Sequence, residues 1–527
     1  MPKRWKILPL EKLCLQELAW RTSPYWIIDY KQDDLAFFHV QDLICLLGQN
    51  KNFIPPMLHL LLVPQLRDIN LSTCQNIVTR SIALTMRVQC RNLLSLNLHG
   101  CKQLPADALA RLVESLPRLI RLDLSKTLCD TQVLSAIGSS CRQLRELNLS
   151  QCRTLSLTSL LYLAYDPRRR LFGCQSLQKL CIFGLKAPKG HLWALLFVLM
   201  ALPRLMFLLN SSISSVLHLI YKQQFDHSRL PPGFPSLAEL FQHRMKARRE
   251  EDISRLTLLL REIIVVRESV LSVINIMCPY MEKATVFLDD RPLLAYSFLS
   301  WRHLTHLTII CDKHRNLSDL LPMMASLGAQ LHGLIIRHFF LAEESSFHVL
   351  LSYCTNLQEF EGLFLPPRTS VCGRQEDIDT LDWDFSLPCF EFPQLSLFTL
   401  EYPDAEIPLP FRHAMVLRQS LVNVLKESPG LKYLTLRRLP FSLDRVFERV
   451  LKSPSTALRH IDELVFSQIR VSVQVVNLIL SSENELSYLC LLKCPGISET
   501  DYNEFTRKVD TEGFDVEIMW KSSYTSE

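Results

Sequence analysis

The stretch Arg118-Leu119-Ile120-Arg121-Leu122-Asp123-Leu124-Ser125 decides the fold, because its leucines fall as Leu119-x-x-Leu122-x-Leu124 and the same spacing recurs on both sides. Upstream stand Leu66-x-x-Ile69-x-Leu71 and Leu93-x-x-Leu96-x-Leu98; downstream stand Leu144-x-x-Leu147-x-Leu149 and Leu177-x-x-Leu180-x-Ile182. The first four of these cassettes start 27, 26 and 25 residues apart. Alternation at the end of each cassette is the period of a strand with one face buried, and the residues that follow change to helical spacing, as in Ala106, Ala108, Leu109, Leu112, Val113 and Leu116. A fixed period of strand, turn and helix predicts an α/β repeat solenoid, bent into a horseshoe, in which each unit buries its apolar face against the next.

The cassette is lost after residue 204 and returns as Leu304-x-x-Leu307-x-Ile309, Leu331-x-x-Leu334-x-Ile336, Leu357-x-x-Phe360, Leu395-x-x-Phe398-x-Leu400, Leu431-x-x-Leu434-x-Leu436, Ile461-x-x-Leu464-x-Phe466 and Leu486-x-x-Leu489-x-Leu491. The expected organisation is therefore a helical cap over 1–65, repeats over 66–204, an irregular or inserted helical segment over 205–289, repeats over 290–510 and a tail over 511–527. Within 205–289, degenerate repeats and a projecting insertion are both compatible with the sequence. The run from Arg244 to Asp252 mixes bases and acids and reads as a solvated helix face, followed by an apolar, helix-like run to Met277. A second irregular stretch, Pro366 to Pro393, holds Asp377, Asp379, Asp382 and Asp384 but lacks the spaced ligands and turn glycine of a calcium loop.

Composition narrows the function classes. The chain has 527 residues, 48% of them hydrophobic and 21% charged, and a net charge of +5, too diffuse for a nucleic-acid or membrane footprint. The one membrane-like stretch, Leu192 to Leu209, is interrupted by Pro203 and Arg204 and falls short of the ~20 apolar residues of a span. The start Met1-Pro2-Lys3-Arg4-Trp5 lacks a signal peptide, so the seventeen cysteines read as reduced, buried thiols in a cytoplasmic or nuclear protein. No Cys-x-x-Cys or Cys/His spacing suggests a metal, and no phosphate loop, nucleophile elbow or His-Glu-x-x-His helix suggests an enzyme. Cys74, Cys101, Cys152 and Cys494 each follow the third apolar position of a cassette by three residues, and Cys90 and Cys141 end helical halves. This placement resembles the cysteine-containing class of leucine-rich repeats, in which small buried side chains let the backbone turn at the corner into the convex helix.

The amino-terminal cap carries two further motifs. In Pro9-Leu10-Glu11-Lys12-Leu13-Cys14-Leu15-Gln16-Glu17-Leu18, Leu10, Cys14 and Leu18 share a helix face with Leu13 alongside, an apolar stripe able to dock in a partner's groove. The decapeptide resembles the BC box through which substrate receptors bind elongin C; that resemblance implies that Leu10 enters the elongin C pocket and Cys14 packs where a small side chain is required. Downstream, Ile54-Pro55-Pro56-Met57-Leu58-His59-Leu60-Leu61-Leu62 is similar to the cullin-2 box, with proline suited to the first helical turn and Leu58 and Leu62 on one face. The order of BC box, cullin-2 box and leucine-rich repeats resembles the Zyg-eleven and Zer receptors of cullin-2 ubiquitin ligases, although those end in armadillo repeats and this chain continues its own cassettes.

The resemblance implies a receptor without cofactor or metal that joins elongin C, elongin B and cullin-2 to an unknown protein client. Elongin C would be held by Leu10, Leu13, Cys14 and Leu18, and the cullin by Ile54, Pro55, Leu58 and Leu62. Outward strand positions expected to face a client include Asn97, His99, Arg121, Asp123, Arg145 and Asn148, for which the plain alternative is a solvated sheet face. His99 and His306 read as strand-face residues. Two rival readings stand beside this one. An F-box receptor of a cullin-1 ligase is suggested by Leu8-Pro9-Leu10, with Asp42-Leu43-Ile44-Cys45-Leu46-Leu47 a poor match to the rest of such a domain. A plain interaction scaffold would instead bury the Leu10 stripe against the chain itself.

Overall fold

A computed structural model describes residues 10–20, 37–49, 54–225, 230–246, 256–288, 301–311, 315–367, 387–403, 409–451 and 457–522. The contacts divide the chain into two compact units, one of Leu8–Val265 with Val270–Met281, the other principally Glu282–Glu527.

In the first unit each cassette forms a three-residue strand: Asp68–Asn70, Ser95–Asn97, Arg121–Asp123, Glu146–Asn148, Lys179–Cys181 and Phe207–Leu209, all parallel. The register aligns the middle apolar residues Ile69, Leu96, Leu122, Leu147, Leu180 and Leu208 as one buried row. Helices return the chain on the other side. In Ala106–Glu114 the buried residues are Ala108, Leu109, Ala110, Leu112 and Val113, the stripe that the sequence spacing indicates. In Thr131–Ser140, Asp130 caps the first turn by accepting from the Val133 amide at 3.0 Å. Gly138 of that helix allows the neighbouring repeat to approach, since a Cβ there would lie 2.7 Å from the Leu163 carbonyl oxygen.

The corner after each strand is built the same way in several repeats. Two residues past the third apolar position the backbone turns left-handed, at Gly100 (φ 74), Lys126 (φ 56), Gln151 (φ 58) and Gly184 (φ 73). The next residue is the corner side chain. Cys101 Sγ donates to the Leu71 carbonyl at 3.9 Å, Cys152 Sγ to Leu124 at 3.1 Å, and Cys494 Sγ to Phe466 at 3.6 Å, each a carbonyl of the preceding repeat. Cys74, in the first repeat, donates to Ile44 of the cap helix Phe37–Gln49 at 3.6 Å. Thr127 fills the corner of the third repeat and donates to its own Leu124 carbonyl at 2.6 Å. Cys90 and Cys141 cap helix ends and donate to Val63 and Val113 at 3.8 and 3.6 Å; Cys278 and Cys354 occupy the same helix-end position. Burial holds these thiols neutral: Cys90, Cys101, Cys141 and Cys354 are pushed up to about 12 and Cys494 to about 11.

Within 205–289, of the two alternatives the described residues show degenerate repeats. Leu205-x-x-Leu208 supplies the strand Phe207–Leu209, and Phe207 pairs with Glu262 of the strand Glu262–Arg267. The apolar run to Met277 is not one helix but this strand followed by the short helix Leu271–Met277. Ile263, Ile264, Val265 and Val266 are consecutive β-branched residues, stiff at χ1 and suited to a pleated surface, which is why apolar content alone misleads here. The charged residues beyond Lys246 in the Arg244–Asp252 run, and Asp377, Asp379, Asp382 and Asp384, lie outside the described residues. The apolar stretch after Leu192 belongs to the buried helix His191–Ala201, and no helix among the described residues is long and apolar enough to cross a membrane.

The second unit uses longer parallel strands: Lys283–Leu288, His306–Cys311, Gly333–Phe340, Glu359–Leu365, Leu397–Glu401, Tyr433–Arg437, Glu463–Ser467, Tyr488–Leu492 and Glu517–Lys521. Their register aligns Ala284, Leu307, Leu334, Phe360, Phe398, Leu434, Leu464 and Leu489 in a buried row. The truncated cassette Leu357-x-x-Phe360 is explained by Gly362, which pairs with Ile336 and Leu400 at the third apolar position. Its missing side chain is replaced by phenylalanine rings, Phe364 lying 2.6 Å and Phe360 3.1 Å from where a Cβ would stand. Most of the expected tail also proves to be repeat. The helix Glu499–Glu512 carries a Ser498/Asp501 capping box, ends at left-handed Gly513, and leads into the strand Glu517–Lys521.

Candidate protein-interaction surfaces

Among the described residues, the cap exposes a face of its first helix. Helix Leu10–Trp20 packs against helix Phe37–Gln49, and its buried contact is Leu15, 8% exposed. Leu10 and Leu13 are 76% and 40% exposed, and Cys14 is exposed beside them. The three described side chains of the expected elongin-binding stripe are therefore on the surface, not packed onto a repeat. Leu18 is on the same helix, with its side chain outside the described residues.

The second cap motif divides differently. Pro55 begins the helix Pro55–Leu61 after Ile54, as the missing proline donor favours. Leu58 and Leu62 are completely buried, so they hold the cap together and cannot also form the cullin-facing pair expected of them. Of the four expected residues only Ile54, 37% exposed, and half-buried Pro55 reach the surface. His59 of this helix ties it to helix Arg80–Gln89 through hydrogen bonds to Thr85 Oγ1 at 2.6 Å and Ser81 Oγ at 3.1 Å.

The expected client residues also separate into two groups. Asn97, Asp123 and Asn148 stand in register, and each side-chain oxygen accepts from the amide two residues on, that of His99 (2.9 Å), Ser125 (2.8 Å) and Ser150 (3.1 Å). They close the loops after the strands, as short polar side chains do in Asx turns. Asn148 Nδ2 further donates to Asp123 Oδ2 at 2.8 Å, Ser125 Oγ donates to Asp123 Oδ1 at 2.5 Å, and His99 Nδ1 pairs with Ser125 Oγ at 2.7 Å. The buried Ser125 hydroxyl sits between acid and imidazole and is tied to both, a clamp between repeats, not a nucleophile facing solvent. His99, expected on a strand face, lies instead in the turn after the strand Ser95–Asn97, whereas His306 is on a strand; its ring packs over Gly333 and its pKa is lowered from the ordinary value, first by burial and then by Lys283.

What remains free is a row of alternating charge. The first strand positions, Asp68, Ser95, Arg121, Glu146 and Lys179, lie side by side, and Arg121 reaches across Ser95 to Asp68 at 3.3 Å. Such an exposed pair contributes about 0–1 kcal/mol and exchanges readily for a ligand's charge. Exposed Arg145 borders the row, of which Ser95, Arg121, Glu146 and Lys179 line a shallow depression of about 250 Å³. Lys179 was missed in the sequence because only its neighbours Leu177, Leu180 and Ile182 carried the cassette. A wider groove of about 980 Å³, lined by Gln41, Arg67, Asp68, Asn92, Leu94 and Arg118, lies where the cap meets the first repeats. No group of three or more His, Cys, Asp or Glu able to hold a metal occurs among the described residues.

The strand register and the recurrent corner define an α/β leucine-rich-repeat solenoid of the cysteine-containing type. No family model matches the chain, and no curated protein matches it. Solved structures that align with it include a leucine-rich-repeat protein of Leptospira interrogans (13% identity, 98% of this chain and 100% of that one, TM-score 0.36). They also include the yeast Rad7–Elc1 complex (15%, 75% and 99%, TM-score 0.37) and LegL7, a leucine-rich-repeat protein of Legionella pneumophila (13%, 55% and 89%, TM-score 0.29).

Proposed function

We propose that this chain is a non-catalytic receptor that brings a protein client to an elongin B/C and cullin-2 ubiquitin ligase. The observation that carries the reading is the outward position of Leu10, Leu13 and Cys14 on a helix anchored by Leu15. Three exposed apolar or small side chains on one helix, not covered by any of the described residues, suit a hydrophobic groove on an adaptor. A scaffold that used this helix only as a cap would gain by burying the stripe. Cullin contact falls to Ile54 and Pro55, with Leu58 and Leu62 supporting them from within, and the charged row around Arg121, Glu146 and Lys179 receives the client.

Co-purification of the full chain tests the assignment. Recovery of elongin B/C with cullin-2, lost on Leu10→Asp with Cys14→Arg, is the expected result. Recovery of a Skp-type adaptor with cullin-1 would establish the F-box reading instead. Elongin C binding that survives the double substitution would sink the proposed contact.

A further inference from the structure

Among the described residues, the strand Glu517–Lys521 is the last of the second unit's sheet and is paired on one side only. The Glu517 amide donates to the Ser487 carbonyl at 2.8 Å, and the Lys521 carbonyl accepts from the Lys493 amide at 2.8 Å. Because direction alternates along a strand, residues 517, 519 and 521 use their backbone groups inward, while the N–H and C=O groups of Ile518 and Trp520 point along the open edge. No backbone partner for those four groups occurs among the described residues. The core face is unfinished too. Ile518 and Trp520 are half-buried, whereas Leu489 and Leu491, their counterparts in the preceding strand, are fully buried. Trp520 stacks on Tyr502 at 5.8 Å, and its indole N–H has no hydrogen-bond partner among the described residues.

We propose that this edge pairs antiparallel with the same strand of a second copy of the chain, about a two-fold axis through Met519. The sequence of the strand is self-complementary in that register. Ile518 lies opposite the partner's Trp520, and the outward groups of both then form the two hydrogen bonds of a narrow pair, twice over by symmetry. On the core face this sets a β-branched residue against an aromatic one; on the other face Glu517 meets the partner's Lys521. Met519, 45% exposed and held by the Tyr488 hydroxyl at 3.4 Å, faces its own copy. Moving the axis to Ile518 or Trp520 preserves the ladder but sets Met519 against Glu517 or Lys521, so charge selects the register centred on Met519. One strand edge is small beside the roughly 1,200–2,000 Å² of a stable interface, so the association is weak and concentration-dependent.

Sedimentation velocity of the full chain over about 1–100 μM tests this, with a reversible monomer–dimer equilibrium expected. Ile518→Pro removes an outward donor without touching the ladder to Tyr488–Leu492, and it abolishes the dimer. Glu517→Lys and Lys521→Glu each weaken it about tenfold by setting like charges opposite, and combining the two restores it. A chain that stays monomeric throughout, a dimer indifferent to Ile518→Pro, or a charge exchange that fails to restore pairing overturns the proposal. The charge exchange decides the matter even if the proline variant does not fold.

Discussion

The side-chain amide of Gln41 pairs with both backbone polar groups of Asn70: the Asn70 amide donates to Gln41 Oε1 at 2.8 Å, and Gln41 Nε2 donates to the Asn70 carbonyl at 3.1 Å. A cap helix thus supplies, through one side chain, the hydrogen bonds that another strand would have made to Asn70 on the outer edge of Asp68–Asn70. This is how the amino-terminal edge avoids presenting an open ladder.

Gln41→Leu keeps the volume and removes both bonds, leaving a partly buried donor and acceptor unpaired. It is expected to cost about 1–3 kcal/mol in urea denaturation and to speed hydrogen exchange at the Asn70 amide. Gln41→Glu retains the acceptor and lies between. Unchanged exchange at Asn70 in the leucine variant would show that the edge is held some other way.

Asp123 and Arg121 occupy one strand yet are expected to behave oppositely. Asp123→Ala removes the acceptor for the Ser125 amide, the Ser125 hydroxyl and Asn148 Nδ2, charge-assisted bonds of about 1.5–3 kcal/mol each that are not additive, and lowers the melting temperature measurably. Arg121→Ala removes only the exposed pair with Asp68 and changes stability by less than about 1 kcal/mol. Loss of client binding without loss of stability is therefore expected from Arg121→Ala alone, read by pairing thermal melts with pull-down.

The legibility of the chain follows the same division. Regular cassettes were readable because strand and helix impose different periods on leucine, and the corner cysteines because they repeat at a fixed offset. Gly362 left one cassette truncated at Leu357-x-x-Phe360, since the rings that replace its side chain belong to Phe360 and Phe364, two residues to either side. Met281-x-x-Ala284-x-Val286 hid another behind methionine and alanine. At the surfaces, sequence identified the polar positions but not their commitments: Asn97 and Asn148 look like Arg121 in an alternation pattern, and only the loop amides they accept from separate structure from binding. Gln41 left no periodic signal, because a single side chain closing a strand edge needs none.

The buried cysteines make stability fall in alkali. Cys101 ionises near its ordinary value of 9.0 in the unfolded chain but only near about 12 when folded, with Cys90 and Cys141 similar. Below the lower value both states carry neutral thiols and stability is insensitive to these groups. Between the two, the folded chain holds more protons than the unfolded one, so stability declines as pH rises. Thermal melts should be flat in this respect from pH 7 to about 8 and fall steadily above 9. Cys101→Thr, copying the corner that Thr127 forms naturally, should keep stability at pH 7 within about 1.5 kcal/mol and make the alkaline decline shallower. An unchanged slope in that variant would mean that another group governs the decline.

Leu10 and Leu15 lie on one helix, and their substitution separates binding from folding. Leu15 is buried in the cap, so Leu15→Asp places a charge where it has no water and is expected to unfold the contact between helices Leu10–Trp20 and Phe37–Gln49. Leu10 is 76% exposed, so Leu10→Asp leaves the melting curve in place. On an adaptor the order reverses in meaning: a leucine that fills a hydrophobic pocket carries about 2 kcal/mol or more of the affinity, and an aspartate there leaves a desolvated charge, so elongin C binding should weaken at least thirtyfold. Titration of both variants with purified elongin B/C, beside limited proteolysis of the cap, distinguishes the cases. If Leu10→Asp alters neither affinity nor proteolysis, the exposed stripe serves some other partner; if both variants loosen the cap equally, Leu10 belongs to the fold and not to an adaptor site.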